Sequence, residues 1–141
     1  HSLDRTYRAI VHGVISEDEG CINKPIGRDS KDRKKMGIDY KNGKEAITNY
    51  KVIKRFKEYT YIECRLHTGR THQIRVHMAS INHPLLGDNV YCNKKSPYKN
   101  LQGQCLHAYK LGFVHPRSGE MVTTIAPIPE YFEHLLEIIA K

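Results

Sequence analysis

Along residues 5–11, RTYRAIV, side chains alternate so that Tyr7, Ala9 and Val11 fall on one face and Thr6, Arg8 and Ile10 on the other. That period of two predicts a strand. The same alternation of β-branched and aromatic residues with polar ones runs from Glu45 to Phe56 and again from Tyr59 to Leu66, where Ile62, Cys64 and Leu66 share a face. Two antiparallel strands joined near Lys57 and Glu58 are expected. After His67 the period changes. Thr71 is placed to cap a helix reaching about Ile81, with Ile74, Met78 and Ile81 one turn apart and Asn82-His83-Pro84 as its stop. A long hairpin is expected over residues 104–129, turning between Pro116 and Gly119. Pro129 then opens a last helix whose apolar stripe is Phe132, Leu135, Leu136 and Ile139.

The polar segments between these elements read as connections. SEDEG (16–20) is acidic and turn-like, PIGRDSKDRKKMG (25–37) reads as an exposed basic loop, and LLGDNVYCNKKSPYKN (85–100) as a further loop. The result is an α+β class protein, a mixed, largely antiparallel sheet with packed helices. With 141 residues it is expected to form a single domain over 1–141, burying roughly two-thirds of its unfolded surface.

Charge narrows the partners. The chain carries a net +8, which favours a polyanion. No run of about 18 apolar residues and no basic amphipathic terminal helix is present, so no membrane partner is expected and the location is read as cytoplasmic. That leaves nucleic acid, and nine tyrosines supply rings able to stack on bases. The four cysteines form no Cys-x-x-Cys pair. Cys64 with His67 and Cys105 with His107 are the nearest approach to metal-ligand spacing, yet no second pair completes four ligands. Reduced structural thiols are expected, with no metal.

HTGRTHQIRVH (67–77) places Arg70, His72, Arg75 and His77 at a strand end and in the first turns of a helix, where free backbone N–H groups also favour anions. Gly69 permits a tight turn or a close approach at that junction. Arg75 lies between Ile74 and Val76, so its guanidinium is partly buried and needs an acidic partner, since an unpaired buried charge costs about 3–5 kcal/mol. A substrate phosphate, a carboxylate of the protein and a surface ion pair all satisfy that need.

LHTGRTHQIRVHMASINHPLLGDNVY (66–91) resembles the third sequence motif of the RluA-type RNA pseudouridine synthases. RTYRAIVHG resembles the family's strand bearing the active-site tyrosine, INKPIGRDSKDRKKM its Pro-Ile-Gly-Arg loop, and LHAYKLGFVHPRSGE with APIPE its closing hairpin. The resemblance runs from about Arg5 to the end. It implies isomerisation of uridine to pseudouridine in structured RNA, ribosomal or transfer, with no cofactor. Tyr7 would pack on the target base and assist proton transfer, and Arg75 would orient the catalytic carboxylate. Arg28, Lys31, Arg33, Lys34 and Lys35 of the basic loop, with Arg70 and His72, would contact RNA.

The family's aspartate stands on a His-Arg-Leu-Asp segment that continues, after two residues, into Thr-Ser-Gly. His1-Ser2-Leu3-Asp4 imitates its start, but Arg5-Thr6-Tyr7 follows at once with the tyrosine strand. Asp4 is therefore read as a decoy. No methionine precedes Met36, so sequence upstream of His1 is expected to carry the nucleophile, and the chain alone is expected to be inactive. Two other expectations stand beside this one: a non-catalytic RNA-binding module, and a dimer formed through sheet edges that truncation exposes.

Overall fold

A computed structural model describes residues 3–32, 34–93, 98, 103–114 and 117–140, and the side chains of all of these except 3, 4, 111, 113, 114 and 121. Arg33 of the basic segment lies outside the described residues, as do His1 and Ser2. Six strands form one antiparallel sheet: β1 (Leu3–His12), β2 (Glu19–Asn23), β5 (Ile47–Arg55), β6 (Tyr59–Leu66), β7 (Leu106–Val114) and β8 (Met121–Ile125). Their spatial order is β2-β5-β6-β1-β7-β8. β3 (Ile26–Arg28) and β4 (Met36–Ile38) make a separate two-stranded hairpin.

β1 sits in the middle, and its alternation splits the core in two. Ala9 and Val11 pack with Ile62, Cys64 and Leu85 against Ile74 and Met78 of α1 (Gln73–Ser80). Ile10, on the other face, packs with Tyr59 and Tyr61 against Phe132, Leu135 and Ile139 of α2 (Glu130–Ile139). Each face of the sheet thus carries one helix. β1 pairs with β6 in unbroken register from Arg5 to His12, whereas against β7 the register skips Tyr109, an extra residue carried on the β7 side.

Three expectations need correction. The acidic stretch 16–20 is not all turn: Glu19 and Gly20 begin β2, whose one buried apolar residue, Ile22, leaves too short a pattern to read. The basic segment is not a plain loop either. Ile26, Met36 and Ile38 pack against Ala46, Val76 and Tyr91 and hold it as the β3–β4 hairpin, while the Asp29 carboxylate shapes its turn by accepting the N–H groups of Lys31 and Asp32. Finally, α1 begins at Gln73, and Thr71 does not cap it. Among the described residues no helix is long and apolar enough to cross a membrane.

Candidate active site

The start of α1 is built by a side chain reaching backwards. The Gln73 Oε1 accepts the Thr68 hydroxyl at 2.8 Å and the Arg70 N–H at 3.0 Å, fixing the turn that leads into the helix, which has no side-chain cap of its own. Its Nε2 donates to the Ile47 carbonyl and to Thr48 Oγ1, both at 3.0 Å. Every polar valence of this buried amide is used, tying α1 to β5. The chain of bonds continues inward. Thr48 Oγ1 lies 2.8 Å from His77 Nδ1, and His77 Nε2 lies 2.9 Å from the Lys24 carbonyl. A carbonyl only accepts, so Nε2 carries the proton and Nδ1 accepts from Thr48. Burial lowers the His77 pKa, keeping the ring neutral.

Arg75 finds its acidic partner inside the protein. Its Nε and Nη2 donate to Asp88 Oδ2 and Oδ1 at 2.9 and 3.0 Å, a side-on bidentate pair with both groups buried. The turn carrying Asp88 is fixed by sequence. Leu85 and Leu86 are fully buried, Leu85 bridging to Val11 and Leu86 bonded to the Ile10 carbonyl, and Gly87 turns the chain with φ +82. Asp88 Oδ1 then also accepts the N–H groups of Val90 and Tyr91. Burial alone would raise this carboxyl; the Arg75 bond and the two N–H donors outweigh it and hold Asp88 below the ordinary carboxylate range. Neither Asp88 nor Tyr91 is singled out by the sequence reading, although a buried Arg75 demanded a carboxylate somewhere.

Tyr91 joins three parts of the site. Its ring lies 5.1 Å from the Arg75 guanidinium and 5.6 Å from Lys35 Nζ. Its hydroxyl accepts the Met36 N–H of β4 at 3.0 Å and lies 2.7 Å from His72 Nδ1. His72 caps α1 in a left-handed conformation, φ 55, and burial together with the nearby Arg75 lowers its pKa. The basic hairpin is thereby tied to the start of α1.

These elements leave a cavity of about 300 Å³ between β1, the end of β6, and α1, where Tyr7 and Arg75 meet. Leu66, Ile74 and Leu106 give it apolar walls, and Arg70, His72, Gln73 and Gln104 a polar rim. None of these lining residues is Asp or Glu. Side-on pairing with Asp88 engages two of the five guanidinium N–H groups of Arg75, leaving both Nη1 hydrogens and one on Nη2. Arg70 donates its Nε to the Glu45 carbonyl at 2.8 Å. Of the basic-segment candidates, Arg28, Lys31 and Lys34 are exposed on the β3–β4 hairpin and Lys35 is half-buried beside Tyr91, so they adjoin the cavity through Tyr91 and do not line it. The backbone of Asp4 lies in β1 opposite Gly112; its side chain is outside those described. A larger depression of about 610 Å³ over β2, β5 and β6 contains none of the sequence candidates, and its Lys51 and Arg65 alternate with Glu19 and Glu63.

A family model described as RNA pseudouridylate synthase matches residues 1–80. An uncharacterized RNA pseudouridine synthase of Bacillus subtilis is 50% identical over 140 residues, covering 99% of this chain and 45% of its own length. A ribosomal large subunit pseudouridine synthase D of Neisseria meningitidis serogroup A is 48% identical over 147 residues, covering 98% of this chain and 39% of its own. The chain spans less than half the length of the curated relatives it matches. The solved structure of human RNA pseudouridylate synthase domain containing 1 superposes with a TM-score of 0.76 over 97% of this chain and 65% of that one, at 24% identity, and so shares the fold.

Proposed function

This chain belongs to the RNA pseudouridylate synthase family, and from that premise we propose that it supplies one side of an active site that isomerises uridine to pseudouridine in RNA. The observation that carries the reading is the shared cavity: Tyr7 and the braced Arg75 line one space whose lining includes no carboxylate. Isomerisation breaks the C1′–N1 bond, turns the freed uracil and forms a C1′–C5 bond; C5 loses a proton and N1 gains one, so no external reagent is consumed. The sugar carbon needs a carboxylate as nucleophile or base, and the loose uracil needs a walled pocket that keeps it while it turns. Tyr7 packs on the base and assists the proton transfer. The free edge of Arg75 keeps the incoming carboxylate ionised by opposing its desolvation. A carboxylate delivered by sequence outside residues 1–141 fits that edge; Asp88 does not, being already committed to four N–H donors.

The substrate is RNA of the large ribosomal subunit in preference to transfer RNA, supported by the naming of several relatives as ribosomal large subunit pseudouridine synthases. The protein works in the cytoplasm, where that RNA is assembled. The β3–β4 hairpin and Arg70 bind phosphates, and His72 the target nucleotide.

The test mixes this chain with the part of the Bacillus subtilis relative that precedes the matched region, adds ribosomal RNA, and maps pseudouridine by carbodiimide-dependent reverse-transcription stops. A stop in the mixture, lost on Arg75→Ala or Tyr7→Phe, is expected. Association of the two pieces with RNA but no stop would leave a non-catalytic RNA-binding module as the better reading.

A further inference from the structure

Two arginines line the cavity and both are committed, Arg75 to Asp88 and Arg70 to the Glu45 carbonyl; a third, Arg5, lies opposite Leu66, which also lines it. Arg5 is uncommitted. Its place in the unbroken register with β6, two residues from Tyr7, puts it on the face of β1 that looks onto the cavity. Among the described residues it has neither an acidic partner nor a hydrogen-bond acceptor. What it has is a seat. A β-carbon on Gly69 would overlap Arg5 Nη1 and come within 3.1 Å of Cζ, so the guanidinium lies directly over the Gly69 backbone. Gly69 has no left-handed φ, so glycine is not required there by the turn. The missing side chain makes room for Arg5, and this is the close approach that the sequence allowed for without identifying its partner.

We propose that Arg5, seated on Gly69, grips a phosphodiester of the RNA strand whose nucleotide enters the Tyr7–Arg75 cavity; the proposal rests on the RNA reading given above. A guanidinium presents a fork of N–H donors that matches two phosphate oxygens. Held against Gly69 it surrenders little rotamer freedom on binding, and with no acceptor among the described residues the donors on its outer edge are left for a ligand. Its place on the strand of Tyr7 and beside the segment of Arg70 and His72 sets it at the mouth of the cavity. A nucleotide with its base against Tyr7 keeps its backbone there. The chemistry selects a phosphate monoanion repeated along a chain, consistent with the net +8 of the protein.

The Gly69 contact supplies a test that plain charge removal lacks. The overlapping atoms are the far end of a flexible side chain, so Gly69→Ala displaces Arg5 at little cost to the fold, which a thermal melt verifies. Binding of this chain to a uridine-containing stem-loop is followed by fluorescence anisotropy over a salt series. Arg5→Gln is expected to weaken binding roughly five- to tenfold at low salt and to lower the log–log salt slope by about 0.7 to 0.9, the signature of one lost phosphate contact. Gly69→Ala should do the same with Arg5 still present, and the double variant should be no worse than either single one. Arg65→Gln removes the same charge from β6 on the opposite face and should change the slope less. Equal effects of Arg5→Gln and Arg65→Gln, or unaltered binding by Gly69→Ala, would overturn the proposal while leaving the RNA reading intact. Absence of salt-dependent binding by the unaltered chain would instead remove the RNA reading on which it rests.

Discussion

The two helices cover opposite faces of one sheet and do so by opposite means. α2 buries Phe132, Leu135 and Ile139 along a single stripe flanked by the half-buried Tyr131 and Leu136, with Glu130 and Glu133 favourably placed in its first turn. α1 buries six consecutive residues, Gln73 to Met78, three of them polar or charged. Burying a polar group without a partner is costly, so each needs a matching acceptor or donor built elsewhere in the chain. Gln73 and His77 share Thr48 on β5, and Arg75 has Asp88. α2 is a packing element that tolerates change along its outer face. α1 is a polar element whose every buried group is answered, apart from the edge of Arg75 that opens on the cavity.

The sharpest way to break this contrast is to replace one buried group in each helix's environment by its nearest isostere. Asp88→Asn keeps shape and removes charge, leaving Arg75 buried without a counter-ion; a loss of about 3–5 kcal/mol in urea denaturation is expected. Leu135→Met in α2 keeps volume and should cost less than about 1.5 kcal/mol. Equal costs would dissolve the distinction between the helices.

Acid should act next, and on the α1 side. His77 has a folded pKa below the ordinary 6.5, so its contribution is complete above pH 6.5. As pH falls below that value the unfolded chain takes up a proton that the buried ring resists, and stability declines until the folded ring protonates too. His72 has the same sign. Asp88, depressed below its ordinary 3.8, adds a second loss as pH falls further, through its folded pKa. Urea midpoints are therefore expected to fall between pH 7 and 5, with a smaller slope in His77→Gln; an undiminished slope in that variant would refute the assignment.

The smallest effect sharpens the contrast locally. Tyr91→Phe keeps the ring against Arg75 but drops the hydroxyl shared by Met36 and His72, at a cost of about 1 kcal/mol. The His72 ring nitrogen resonances should shift while those of His77 stay in place.

This contrast also explains what could be read from the chain. β1, β5, β6 and α2 follow from periodicity because each buries an apolar face of several residues. β2, β3 and β4 escape it, being three to five residues long with one or two apolar anchors. The start of α1 is not legible at Thr71, because the helix opens at a left-handed His72 with no side-chain cap and its first residue, Gln73, instead reaches back to the Arg70 N–H. Tyr7 and Arg75 were legible through resemblance and converge on one cavity. Asp88 is only half legible: a buried arginine calls for an acidic partner, and Leu85-Leu86-Gly87-Asp88 offers two apolar anchors and a turn, but the sequence does not choose between that carboxylate and a substrate phosphate. Tyr91 had none, since its hydroxyl partners are 55 and 19 residues away in sequence.

The central claim is that residues 1–141 hold the base and guanidinium side of the site without the carboxylate that attacks the sugar. Release of tritium from RNA labelled at C5 of uridine measures it most directly. The chain alone should release none above buffer. Release abolished by Arg75→Ala but not by Asp4→Ala would show that the carboxylate is already within these residues, and release abolished by Asp4→Ala would show that Asp4 is that group; either result contradicts the account.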